Sequence, residues 1–244
     1  MQPPRAILFD LDGTLVSEGQ SRRDFLNELT LAHAELFSPL TPLEAADRLE
    51  AQFEDFWADG ARHKHWRKQP RLEARKYIAE QAFARLRADG AARADAAAAH
   101  AFAERFHTIR EAQVNTVEGA HDVLGELRRR GVRLALVTNG PSESQRRTIA
   151  RFDLAGYFDH IQIEGEHGFG KPEDQAYVHA LRQLGAAPHE TWMVGDNLEW
   201  EVAAPQRHGM RGLWCDYLGI GLPAGSDVKP DRILRQLPEV LWEG

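Results

Sequence analysis

Short apolar segments alternate with amphipathic segments over the C-terminal half of the chain. Five segments rich in large apolar residues predict strands: AILFD, VRLALVTN, HIQIEG, TWMVGD and RGLWCD. From the second onwards, each is separated from the next by a stretch with helical periodicity. Strands that alternate with helices form parallel sheets with right-handed crossovers. The pattern therefore predicts an α/β fold with a Rossmann-like parallel sheet flanked by helices.

The stretch from residue 17 to residue 115 has a different pattern. It has almost no β-branched runs, and Ala, Leu, Glu, Arg and aromatic residues recur at helical spacing. A stretch of about a hundred residues has the size of a domain. We therefore expect an α/β core of residues 1–16 and 116–244, with an α-helical cap domain inserted as residues 17–115. Ligands of such sheets bind at the carboxyl ends of the strands, where an inserted module would cover them.

Composition and charge narrow the class of protein. Of the 244 residues, 43% are hydrophobic and 27% are charged, and the formal net charge is -7, which disfavours nucleic acid as a partner. No apolar run approaches the roughly 18 residues of a membrane span, and the N-terminus lacks the apolar core of a signal peptide. Cys215 is the only cysteine, and its strand-like setting favours a packed thiol in a reducing compartment. We expect a cytoplasmic protein without a membrane partner, whose oligomeric state stays open.

Polar side chains follow four of the predicted strands. Two acids follow the first, a hydroxyl and an amide end the second, a lysine follows the third and two acids follow the fourth. These residues are Asp10, Asp12, Thr138, Asn139, Lys171, Asp196 and Glu201. Parallel strands bring their carboxyl ends to one edge of the sheet. Acids, a lysine, a hydroxyl group and glycines suit a phosphate group together with a divalent cation.

This order of motifs resembles the haloacid dehalogenase-like superfamily, most of whose members are phosphatases. The matching features are DLDGT at the end of the first strand, a strand that ends in Thr, a lysine before a helix, and GD followed by a further acid. The resemblance implies a magnesium-dependent phosphomonoesterase that hydrolyses a small phosphorylated metabolite. It also implies that the inserted helical stretch is the family's cap.

The resemblance assigns catalytic roles by matching position. Asp10 is the implied nucleophile, which becomes an aspartyl-phosphate. Asp12 is implied to protonate the leaving alcohol and then to activate the water that releases phosphate. Thr138 and the main chain of Asn139 are implied to hold phosphoryl oxygens, and Lys171 to offset the charge on nucleophile and phosphate.

The resemblance also implies a Mg²⁺ site. Its implied ligands are the Asp10 carboxylate, the Asp12 main-chain carbonyl and Asp196, with waters completing the octahedron. Where many relatives have an aspartate, this chain has Glu201. Its longer side chain is expected to reach the metal through water, and Glu199 is the alternative.

Other functions compete with a phosphatase at this point. A sugar phosphomutase would keep the same core, and a non-catalytic binding protein could keep the fold. Residues 165–171 also fit the GxxxxGK pattern of a nucleotide phosphate-binding loop. However, Pro172 stands where that motif needs Ser or Thr, and a proline suits the first turn of the following helix. The dehalogenases lack an aspartate at the position of Asp12, which favours phosphoryl chemistry here.

One stretch of the predicted cap, ARHKHWRKQP, combines positive charge with an aromatic ring. We predict that it contacts the non-reacting part of the substrate through Arg62, His65, Trp66 and Arg67. A solvated basic loop is the alternative interpretation. His63 and His65 lack the further ligands that a zinc site needs, so no metal is expected there.

Overall fold

The chain divides into two compact units. A computed structural model describes residues 2–66, 68–91, 93 and 95–242. One unit comprises Met1–Ser17 and Asn115–Gly244, and the other comprises Glu18–Val114. We call them the α/β unit and the helical unit. Among the described residues, no helix has the length and apolar character to cross a lipid bilayer.

The helical unit consists of helices connected by short turns. Its helices are α1 (Arg22–Ala32), α2 (Pro42–Ala58), α3 (Gly60–Trp66), α4 (Arg71–Ala88) and α5 (Ala96–Gln113). Capping boxes begin two of them, because Ser21 and Thr41 each exchange hydrogen bonds with an acid three residues later. The described part of this unit contains no strand.

Phenylalanine rings fill the core of the helical unit. Phe37 and Phe83 lie with their ring centroids 5.3 Å apart, and Phe102 contacts both at 5.7 and 5.5 Å. Phe106 packs edge-on against Phe25 at 6.4 Å. The helical unit therefore has a hydrophobic core of its own.

The described residues of the α/β unit form eight strands. They are β1 (Ala6–Phe9), β2 (Val16–Ser17), β3 (Asn115–Thr116), β4 (Arg133–Thr138), β5 (His160–Ile163), β6 (Thr191–Gly195), β7 (Arg211–Cys215) and β8 (Arg232–Leu234). Six of them form a parallel sheet in the order β5-β4-β1-β6-β7-β8. The predicted parallel α/β fold is confirmed. In this doubly wound order the winding reverses between β1 and β6, and such a reversal is where α/β sheets bind ligands.

Helices connect the strands of the sheet. They are α6 (Ala120–Arg129), α7 (Ser142–Arg151), α8 (Glu164–His167), α9 (Asp174–Leu184) and α10 (Ala204–Arg207). All residues of β1 and β6 are buried, as expected for central strands of a covered sheet. Cys215 is also buried, and burial raises the pKa of its thiol, which confirms the packed thiol. Pro172 precedes α9 by two residues, so the prediction that it lies in the first helical turn is wrong.

The strands β2 and β3 form a small antiparallel ribbon where the inserted segment begins and ends. Val16 pairs with Thr116, and Ser17 pairs with Asn115. The chain leaves the α/β unit after Ser17 and returns to it at Asn115. The two ends of the insertion are therefore hydrogen-bonded neighbours.

Candidate active site

The segment after β1 leaves the sheet through a tight turn. The main-chain N–H of Asp10 still donates to the carbonyl of Val194, at 2.9 Å, so this residue stays attached to β6. The Leu11 carbonyl then accepts from the main-chain N–H groups of Leu15 and Val16. Gly13 has a φ of +80°, and a Cβ there would overlap the carboxylate of Asp196. The turn therefore requires glycine, and it keeps the carboxylate of Asp10 at the carboxyl edge of the sheet.

A buried ion-pair network connects the ends of three strands. The Lys171 ammonium lies 2.6 Å from Asp10 Oδ1 and 2.7 Å from Glu201 Oε1. Lys171 and Glu201 are almost completely buried, and Asp10 is 8% exposed. The structure thus brings together three residues that lie far apart in the sequence, at the edge where the strand pattern predicts them.

Burial and charge act in opposite directions on these groups. Burial lowers the pKa of Lys171, but the carboxylates of Asp10 and Glu201 outweigh it, so the pKa of this lysine is raised and the ammonium stays charged. Burial raises the pKa of Glu201 to about 7 although Lys171 opposes the shift. The pKa of Asp10 is raised for the same reason, and Lys171 again opposes the shift.

The helical turn after β6 places the Glu201 side chain in this ion-pair network. Asn197 begins the π-helical turn Leu198–Ala203, and its side chain accepts hydrogen bonds from the main-chain N–H groups of Glu199 and Trp200. Its own main-chain N–H donates to Glu201 Oε2 at 2.8 Å. A Cβ at Gly195 would overlap the Glu201 side chain, so this glycine gives the carboxyl group its space. Glu199 instead lies on the surface, 2.7 Å from Arg207.

Gln145 is a site residue that the sequence analysis missed. It is fully buried on α7, and its amide nitrogen lies 2.8 Å from Asp12 Oδ2 and 2.6 Å from Thr138 Oγ1. It therefore fixes the carboxylate of Asp12 beside the end of β4. The available signal was its position four residues before Ile149, because the two share the buried face of α7.

Asn139 joins the end of β4 to the loop that carries Lys171. Its amide nitrogen donates to the Lys171 carbonyl at 2.7 Å, and its amide oxygen accepts from the Lys171 main-chain N–H at 2.9 Å. Its own main-chain carbonyl accepts from Gln145 at 2.9 Å. The segment Glu164–His167 is helical, and the Lys171 ammonium pairs with carboxylates. This arrangement disfavours a nucleotide phosphate-binding loop, whose lysine contacts nucleotide phosphates.

The acids of this edge outnumber its cations. Asp196 follows β6, where its main-chain carbonyl accepts from the indole N–H of Trp214 at 2.7 Å, and its side chain lies against Gly13. With Asp10, Asp12 and Glu201 it makes a cluster of four carboxyl groups, of which Asp10 and Glu201 contact the Lys171 ammonium. Carboxylate oxygens are the ligands that hard divalent cations prefer, and Mg²⁺ needs only one or two of them. The donor set and its excess negative charge therefore fit a divalent metal ion.

Residues 61–66 of the predicted substrate-contacting stretch lie in α3, so this part is helical and not a loop. Arg62 donates to the Asp55 carbonyl at 3.0 Å, and its main-chain N–H donates to the Asp59 carboxylate at 2.7 Å. Trp66 stacks on Tyr77 with ring centroids 4.7 Å apart. His65 is exposed, with its ring 5.4 Å from Trp66, and Arg67 lies outside the described residues. Substrate contact by this stretch stays a prediction.

A family model and a curated relative match parts of this chain. The family model described as haloacid dehalogenase-like hydrolase matches residues 4–209. The phosphoserine phosphatase of Thermus thermophilus is 40% identical over 122 residues, which is half of this chain and 48% of that enzyme. The chain thus aligns with about half the length of this relative.

Two further proteins match nearly the whole chain. The human N-acylneuraminate-9-phosphatase is 26% identical over 245 residues, covering 97% of this chain and 92% of the relative. The crystal structure of the HAD-hydrolase YfnB from Bacillus subtilis, bound to magnesium, superposes with a TM-score of 0.67. It is 22% identical and covers 98% of this chain and 97% of its own, a likeness that concerns the fold.

Proposed function

The chain belongs to the haloacid dehalogenase-like hydrolases, and from this membership and the site geometry we propose that it is a magnesium-dependent phosphomonoesterase. The observation that carries the proposal is the buried Asp10 carboxylate, held 2.6 Å from the Lys171 ammonium at the end of β1. A carboxylate nucleophile must stay ionised in a site that removes water. The adjacent ammonium favours the ionised form of Asp10.

The proposed reaction has two steps, and one acid serves both. The Asp10 carboxylate attacks phosphorus, the bond to the leaving oxygen breaks, and Asp12 donates a proton to that oxygen. Asp12 then accepts a proton from the water that attacks the aspartyl-phosphate, which releases inorganic phosphate and restores Asp10. Gln145 supports this role because its hydrogen bond holds the Asp12 carboxylate in place.

Phosphate binding is proposed for groups at the end of β4 and on the loop between α8 and α9. The Thr138 hydroxyl and the main-chain N–H of Asn139 would donate to phosphoryl oxygens, and Lys171 would offset their charge. The side chain of Asn139 positions Lys171 through two hydrogen bonds. Loss of that side chain is therefore proposed to change the position of Lys171 as well as to weaken phosphate binding.

Magnesium is proposed to be held by Asp10, the Asp12 carbonyl and Asp196, with Glu201 acting through water. When bound, the ion supplies positive charge that stabilises the phosphoryl oxygens in the transition state. Asp196→Asn should raise the Mg²⁺ concentration needed for half-maximal rate more than Glu201→Gln does. The reverse order would contradict the assignment of inner and outer ligands.

The proposed substrate is a small phosphorylated metabolite. The supporting observation is that the named relatives are phosphatases of phosphoserine and of N-acylneuraminate 9-phosphate, both phosphate esters of small molecules. No individual metabolite is favoured by the residues of the site.

Turnover of para-nitrophenyl phosphate in Mg²⁺ and in EDTA tests the proposal, followed by phosphate release from a panel of phosphorylated metabolites. The wild type should release phosphate only with the metal, and Asp10→Asn should abolish release while the fold is kept. The exposed acid Asp122 on α6 provides the control, Asp122→Asn, which should keep full activity. Isomerised sugar phosphate without phosphate release would indicate a phosphomutase, and absence of any turnover would indicate a binding protein.

A further inference from the structure

Three histidines meet on the edge of the sheet formed by β5. His160 begins β5, His167 ends α8 and His179 lies in the middle of α9. One ring nitrogen of each lies within 4.8 Å of a ring nitrogen of both others. Within the described part of the chain, no other group of three potential metal-binding side chains lies this close together. None of the three belongs to the acidic site described above.

Hydrogen bonds orient two of these rings. His167 Nδ1 lies 3.1 Å from the Ile163 carbonyl, and His179 Nδ1 lies 2.8 Å from Gln162 Oε1. Each oxygen can only accept, so each Nδ1 carries the proton and the lone pair is on Nε2. Metal-binding histidines are held in this way by an acceptor behind the ring. The Nε2 atom of His179 accepts from the exposed amide nitrogen of Gln183 at 3.3 Å, a bond that a metal ion would replace.

Two further observations point into the same cluster. The Nε2 atom of His160 is buried and has no hydrogen-bond partner in the described structure. Gln162, which is also buried, donates from its amide nitrogen to the Ala176 carbonyl at 3.0 Å, and this bond turns its oxygen towards His179. An unpartnered buried ring nitrogen is costly in a site that has no ligand.

The surroundings of two of the rings favour their neutral form. Burial lowers the pKa of His160, and the neighbouring His179 and His167 lower it further. Burial also lowers the pKa of His179, with additional effects of His167 and Arg182. Only the neutral imidazole has a lone pair for a metal ion.

We propose that His160, His167 and His179 form a second metal site, which binds a transition-metal ion such as Zn²⁺ through three imidazole nitrogens. Around a tetrahedral ion with bonds of about 2.0–2.1 Å, two ligand nitrogens lie about 3.3 Å apart. Small ring rotations are therefore sufficient to close the site from its present spacing. Imidazole selects Zn²⁺ and similar ions, whereas the carboxylates of the acidic site select Mg²⁺.

The metal would stabilise the segment between α8 and α9, which carries Lys171. His167 and His179 flank residues 168–178 on either side, and the ring of His160, on β5, lies 6.0 and 5.3 Å from their rings. Binding should therefore make this connection more resistant to local unfolding. The acidic site does not itself gain a ligand.

Zn²⁺ binding to tag-free, metal-free protein in saturating Mg²⁺ tests the proposal, by calorimetric titration and by the visible spectrum of the Co²⁺ form. The wild type should bind one Zn²⁺ that Mg²⁺ does not displace, and Zn²⁺ should raise its melting temperature. His160→Gln, His167→Gln and His179→Gln should each weaken binding by at least about tenfold. The exposed His189 provides the matched control, because His189→Gln should leave the affinity unchanged.

The proposal is overturned if the wild type binds no Zn²⁺ under these conditions. It is also overturned if folded His167→Gln and His179→Gln variants bind Zn²⁺ as tightly as the wild type, or if Mg²⁺ displaces the ion. Three separate replacements keep the test decisive should one variant fail to fold. None of these readouts depends on phosphatase activity, so the test is independent of the proposed function.

Discussion

Glu201→Gln is expected to remove part of the pH dependence of stability from the metal-free protein. The Glu201 carboxyl is 1% exposed, and its pKa rises from an ordinary value of 4.5 to about 7 on folding. Between these two values the unfolded chain has released the proton while the folded protein keeps it. The folded state therefore binds more protons, and the contribution of this group to the free energy of unfolding falls as pH rises through that window.

The size of the effect follows from the same values. A shift of one pKa unit corresponds to about 1.4 kcal/mol, so the shift of Glu201 corresponds to about 3 kcal/mol. Glutamine has nearly the shape of the protonated acid, but its one amide oxygen can accept from the Asn197 main-chain N–H or from the Lys171 ammonium and not from both. That loss does not depend on pH, because the amide does not titrate. Relative to the wild type, the variant should therefore gain stability progressively as pH rises, by about 3 kcal/mol between pH 4 and pH 8, with most of the gain between pH 5 and pH 7.

Urea denaturation of both proteins in EDTA, at several pH values, measures this difference. The matched control is Glu199→Gln, which removes an exposed acid of the same helical turn. Its pair with Arg207 is at the surface, so the free energy of unfolding should change by less than about 1 kcal/mol. The reasoning is refuted if the stability of Glu201→Gln relative to the wild type does not rise between pH 5 and pH 7.

Three further variants, one of them with a matched control, test the positioning of the site and the core of the helical unit. Gln145→Leu should lower kcat/KM by about tenfold to a hundredfold without unfolding the protein, since it removes the hydrogen bond that holds the Asp12 carboxyl group. Unchanged kinetics would contradict this role. Gly13→Ala should abolish most activity, whereas Gly131→Ala, with a similar φ of +76° but open space around it, should affect only stability. Phe83→Ala should destabilise the helical unit by about 3–5 kcal/mol. Proteolysis should then become faster in the helical unit and not in the α/β unit. Equally faster proteolysis of both units would contradict the inference that each has its own core.

The strands of the sheet could be predicted because their signal is local. The segments that became β4, β6 and β7 are apolar runs bounded by polar or glycine residues, and such runs are readable in any window of the sequence. β8 has only three residues, and α3 has seven residues with mostly polar side chains. Elements this short carry too few positions for a periodic pattern to show.

The candidate site was predictable only in part. The order of acids, threonine and lysine along the chain placed Asp10 and Lys171 at one edge of the sheet, because parallel strands share that edge. The hydrogen bond from Gln145 to Asp12 joins residues that are 133 positions apart, and the sequence around either residue does not predict it. The three histidines likewise come from β5, α8 and α9, so their spacing in the sequence resembles no metal motif.

The ribbon of β2 and β3 has a consequence for how such a chain can change. Val16 pairs with Thr116 and Ser17 pairs with Asn115, so β2 and β3 are paired as the two strands of a β-hairpin are. The whole helical unit takes the place of the hairpin's turn. A turn of about two residues, such as Asn-Gly, would join Ser17 to Asn115 and keep this register. Segments of very different length can therefore be exchanged at this junction, since the entropy of closing a loop grows only slowly with its length. The ribbon makes the insertion an interchangeable module on a sheet whose strand pairing stays the same.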